Sequence, residues 1–167
     1  MLGYSVLLVF PLAMIFAGAM DMLTMTIPNR ISLVLIAMFL AAAPLAGLSM
    51  HQFLMHLGAG ALVLAVGFVL FATGKIGGGD VKLLAASSLW LGFEQLMPYM
   101  IAVTVLGGVL ALGFLVMRHL VPEGSFKAPA WVLRLQSKET GIPYGLAIAG
   151  GALWLYPKTM VFHGLAF

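Results

Sequence analysis

The stretch LGYSVLLVFPLAMIFAGAM, residues 2–20, contains no charged side chain and is followed at once by Asp21. A hydrocarbon core about 30 Å thick needs about 20 mostly apolar residues of helix, so this run is long enough to cross one. Outward from it, the chain divides at its charges into five more stretches of similar size. They run from Ile31 to Leu48, Phe53 to Ala72, Gly77 to Phe93, Leu96 to Met117 and Ile142 to Phe162. The reading is an all-α integral membrane protein with about six transmembrane helices in a single domain, residues 1–167. The fourth helix is expected to be short or interfacial at its start, because Asp80 and Lys82 precede its fully apolar part from Leu83.

Composition agrees. Of 167 residues 63% are hydrophobic and 8% charged, and the mean hydropathy is +1.14. An ordinary soluble domain is about one-quarter charged, so a soluble enzyme is excluded, and so is a disordered chain. The absence of Cys excludes disulfide scaffolds, thiolate metal sites and cysteine nucleophiles. Any chemistry must use oxygen and nitrogen side chains.

The basic residues set the orientation. Arg30, Lys75, Lys82, Arg118, Lys127, Arg134 and Lys138 all fall in or beside the loops after the first, third and fifth stretches, and Lys158 alone falls on the other side. The positive-inside rule then places those loops in the cytoplasm and both termini outside. Residues 1–5 carry no Lys or Arg, so the first stretch reads as a retained span rather than a cleaved signal. The net charge of +3 is spread over loops without an aromatic platform, which argues for lipid rather than nucleic acid as the partner. The long connection from Arg118 to Gly141 contains the apolar patch Trp131, Val132, Leu133 and Leu135, suited to lying at headgroup level.

The five carboxylates sort by depth. Glu123 and Glu139 fall in the long cytoplasmic loop and Glu94 in an external one. Asp21 ends the first span as it reaches the inside, and Asp80 begins the fourth as it leaves, so two distant positions converge on one membrane boundary. Ionisable groups at that depth are candidates for function. A purely structural account also fits: Asp80 can cap a helix whose preceding chain is Gly77-Gly78-Gly79, and Asp21 can cap a turn or pair with Arg30 or Lys82. Catalysis would need the two carboxylates to share a proton, one activating water while the other serves the carbonyl. The glycines would then admit a substrate backbone and let the chain turn through positive φ.

Other motifs fail. Val69 stands where a phosphate-binding loop needs its first glycine, and Lys82 where a dinucleotide fingerprint needs its third. His51, His56, His119 and His163 do not form a metal set and are expected at surfaces or interfaces. Ser87 and Ser88 lack a positioned His–Asp pair and suit helix packing.

The segment Gly74-Lys75-Ile76-Gly77-Gly78-Gly79-Asp80-Val81-Lys82-Leu83-Leu84-Ala85-Ala86 resembles the G-x-G-D region of bacterial prepilin peptidases. Asp21 followed by Ile27-Pro28-Asn29 is similar to their first aspartate motif, and Ile142-Pro143-Tyr144-Gly145 to their last-span pattern. The resemblance implies a membrane aspartic endopeptidase of the bacterial inner membrane that removes the basic leader of prepilins and pseudopilins at the cytoplasmic face, without metal or other cofactor. Asp21 and Asp80 match the catalytic positions, Gly77 and Gly79 the motif's glycines, and Lys82, Pro28 and Asn29 supporting positions. With no Cys and only residues 22–30 between its first spans, the chain looks like the short type associated with tight-adherence pili, which does not imply methyltransferase activity. Glu123 and Glu139 are the loop acids available to offset repulsion between a basic leader and basic loops.

Three alternatives stand beside it. The presenilin-like group shares G-x-G-D, but Met20 precedes Asp21 and Tyr144-Gly145 follows Pro143, so its other motifs are missing. An archaeal-type preflagellin peptidase is closer. A non-enzymatic proton or cation transporter, or a pilus-assembly subunit, would use the same aspartates to bind or relay ions. The oligomeric state is not legible in the sequence.

Overall fold

The computed structural model describes residues 2–121, 129–137 and 140–166, and every regular element among them is helical. In chain order these are α1 (Leu2–Thr24), α2 (Asn29–Leu45), α3 (Met50–Ala72), α4 (Gly78–Leu120), α5 (Ala130–Gln136), α6 (Tyr144–Leu155), a 3₁₀ turn (Tyr156–Lys158) and α7 (Met160–Ala166). Glu123, Glu139, Lys127 and Lys138 lie outside the described residues. Three helices, α1, α3 and α4, are long and apolar enough to cross a membrane, and α2 is a shorter apolar helix of 17 residues.

The stretches read as fourth and fifth spans both lie in α4, divided at Gly92, whose φ of 68° is not helical. The hydroxyls of Ser87 and Tyr99 are 2.7 Å apart, whereas twelve residues of straight helix would separate their backbones by about 18 Å. The chain therefore turns at Gly92. The first limb, residues 78–91, is only about 21 Å long. The second, residues 93–120, runs back until Arg118 meets the backbone of Leu135, Thr140 and Gly141. A side chain at position 92 would collide with His56, whose ring Nδ1 lies 2.6 Å from the Leu89 carbonyl. His56 thus bonds a carbonyl in the turn just before the break, and it is buried, where the sequence reading expected a surface or an interface.

The stretch read as a sixth span is also interrupted. Pro157 has no N–H to continue the α6 ladder, so the backbone tightens into the 3₁₀ turn, and Thr159 Oγ1 accepts from the Phe162 N–H as α7 begins. The core between α1, α2, α4 and the C-terminal elements is aromatic: Phe10 lies 5.2 Å from Trp90 and 4.5 Å from Tyr156 between ring centroids. Trp90 Nε1 donates to the Leu35 carbonyl at 2.9 Å, so its one polar group is satisfied inside the apolar core.

Helices approach closely where side chains are small. A Cβ on Gly18 would lie 3.2 Å from Ala149 Cβ, which brings α6 against the lower half of α1. This crossing places the start of α6 beside Asp21.

Candidate active site

Asp21 sits one turn before the end of α1. The helix stops because Met25 adopts φ 55°, a left-handed conformation rare for a residue with a Cβ, while its N–H still reaches the Asp21 carbonyl at 2.8 Å. The Asp21 side chain is 6% exposed, and its Oδ2 accepts the Gly145 N–H at 2.7 Å. Gly145 is the second residue of α6, so Asp21 satisfies one of the orphan donors at that helix's N-terminus. Arg30 and Lys82 are not what holds it.

Asp80 occupies the third position of α4, with Gly77 as the N-cap residue. Its carboxylate folds back over Gly77, the direction in which the third helical residue reaches in a capping box. Asp80 is therefore not itself the cap, as the structural account of the sequence had it. The role of the glycines also differs from the expectation of positive φ: Gly77 has φ −70°, and Gly78 and Gly79 are helical. What they supply is room. A Cβ on Gly77 would stand 2.9 Å from Asp80 Oδ2, and one on Gly79 would stand 3.3 Å from Ile27 Cβ.

Asp21 and Asp80 line the same cavity, about 300 Å³, together with Met25, Ile27, Asn29 and Gly77 to Gly79. The supporting positions also come to this end of the molecule. Pro28 is the N-cap residue of α2 and its carbonyl accepts the Ile31 N–H at 3.0 Å. Lys82 Nζ donates to Asn29 Oδ1 at 3.0 Å, tying the first residue of α2 to the second turn of α4.

Two parts of the site were not singled out from the sequence. Gly145 enters the sequence reading within the Ile142-Pro143-Tyr144-Gly145 pattern, not as a site residue; a Cβ there would be 2.9 Å from Asp21 Cβ, Asp21 Oδ2 and Ile27 Cδ1. Met25 gave no signal at all, since nothing in its residue type favours positive φ. Arg134, from α5, donates to the Leu23 carbonyl at 3.4 Å and so closes over the end of α1.

Chemically, two carboxylates facing one small cavity can hold a water and pass a proton between them. The profile of the type IV leader peptidase family matches residues 8–112, a range that contains both aspartates and stops before α5 and α6. Neither a curated protein nor a solved structure matches the chain.

Proposed function

The chain belongs to the type IV leader peptidase family, and on that premise we propose that it is an aspartic endopeptidase that removes the basic leader of prepilins and pseudopilins at the cytoplasmic membrane face. The observation that carries this reading is the convergence of Asp21 and Asp80, from α1 and α4, on one cavity. Water held between the carboxylates loses a proton to one of them as its oxygen bonds to the scissile carbonyl carbon. The other, protonated, donates to the carbonyl oxygen. Collapse of the tetrahedral intermediate breaks the C–N bond, and the leaving amine takes a proton from the dyad.

Orientation follows from charge. Arg118 and Arg134 bind backbone near the end of α1, Lys82 lies beside Asn29, and Lys75 sits in the turn before α4. Lys158 lies in the 3₁₀ turn after α6. A basic end that coincides with the dyad supports a cytoplasmic site in an inner membrane, with both termini outside.

Co-expression with pilin precursors tests the activity. The wild type shortens the precursor to a product lacking its leader. A precursor that stays at full length beside a correctly inserted wild-type protein contradicts the proposal.

A further inference from the structure

A second cavity, about 500 Å³, lies between α2, α3 and the first limb of α4. Its walls are almost wholly apolar, and its floor is made of small residues, Gly60, Ala85 and Ala86, while Leu33, Ile36 and Ala61 form its open rim. Small floors let a helix approach closely.

Three features distinguish it from an ordinary lipid-facing surface. Asn29 lines both this groove and the cavity of the two aspartates, so the two are neighbours across one side chain. The Lys82 ammonium, held by Asn29, stands at the junction. In the wall of the groove, Ser32 is 5% exposed and its buried Oγ has no hydrogen-bond partner among the described residues. A hydrocarbon tail offers nothing to a buried hydroxyl, whereas a peptide does. A chain about to be cleaved must be unwound near the scissile bond, and its freed N–H and C=O groups need partners where apolar walls displace water.

We infer that this groove is the docking site for an apolar helical segment of the substrate that follows its basic leader, lying along α2 and α3 with its scissile end passing Asn29 into the dyad cavity. The inference rests on the proteolytic reading above and adds the face by which the substrate is held.

Filling the groove tests it. Ala61→Trp is expected to lower kcat/KM for a full-length precursor at least about tenfold, mainly through KM, as loss of binding away from the reacting atoms should. Val66→Trp, on the same helix and 54% exposed but outside the groove, should process the precursor as the wild type does. Because the chain has no Cys, Ala61→Cys provides a single thiol and a milder probe. With an added oxidant it should form a disulfide to a Cys placed in the precursor's apolar segment, and Val66→Cys should not. Unchanged processing by Ala61→Trp, or crosslinking absent at Ala61→Cys or equal at the two positions, overturns the inference and leaves the groove to lipid. Failure of the wild type to cleave any precursor would instead strike the activity itself.

Discussion

The backbone N–H of Gly145 and the carboxylate of Asp21, 124 residues apart in sequence, meet in a 2.7 Å hydrogen bond. It ties the start of α6 to the end of α1 and fixes one oxygen of the proposed dyad. Since the family profile ends at residue 112, the group that positions Asp21 comes from the part of the chain beyond it.

Gly145→Ala puts a methyl group 2.9 Å from both Asp21 Oδ2 and Ile27 Cδ1. Either α6 or the carboxylate must move. Overpacking of this kind costs about 1–3 kcal/mol, and a displacement near 1 Å at reacting groups costs about 10²-fold in rate. Leader removal should fall by roughly that factor, with a smaller loss in thermal stability in detergent. Wild-type rates for this variant would show that the contact does not position the dyad.

Lys82→Met removes the bond to Asn29 Oδ1. Both side chains are exposed, so the loss of stability should stay under about 1 kcal/mol. The effect should appear in precursor processing, because Asn29 lines both the groove and the dyad cavity. Thermal unfolding and processing rates measured side by side check this. A large stability loss with unchanged processing would make Lys82 a purely structural residue.

At Gly92, substitution by Ala adds both left-handed strain and a collision 2.8 Å from His56 Cε1. Strain of this type costs about 1–3 kcal/mol. Gly92→Ala should therefore lower the unfolding midpoint clearly, and a variant with unchanged stability would mean that the turn between the limbs of α4 is not held as described.

Met25 provides the opposite case. Its positive φ costs a residue with a Cβ about 1–2 kcal/mol, and a glycine would adopt it freely. Met25→Gly is expected to raise stability by about 1 kcal/mol, read by thermal unfolding. Destabilisation instead would assign the Met25 side chain, which lines the dyad cavity, a packing role greater than its strain.

Much of this was legible in the sequence. Asp21 and Asp80 were placed at one depth by counting apolar residues between charges, because a bilayer imposes a length on every helix. The identity of their partners was not, since a backbone N–H such as that of Gly145 has no signature in residue type. Gly77 to Gly79 were visible as a glycine run, but whether glycine serves positive φ or the space a Cβ would fill depends on the local backbone. Nor could the sequence show that His56 is buried: its place depends on Gly92 breaking α4 beside it and on the contact of its ring with the Leu89 carbonyl.

The central claim is that Asp21 and Asp80 act as a single catalytic unit, and the most direct measurement is the single-turnover rate of leader removal by Asp21→Asn, Asp80→Asn and the double variant, each checked for insertion. General acid–base groups contribute about 10²–10⁴-fold, and residues that act as a unit are not additive. Each single variant should therefore lose at least about 10²-fold, with the double variant little slower than either. Full processing by either single variant, or losses that multiply in the double variant, would contradict the claim.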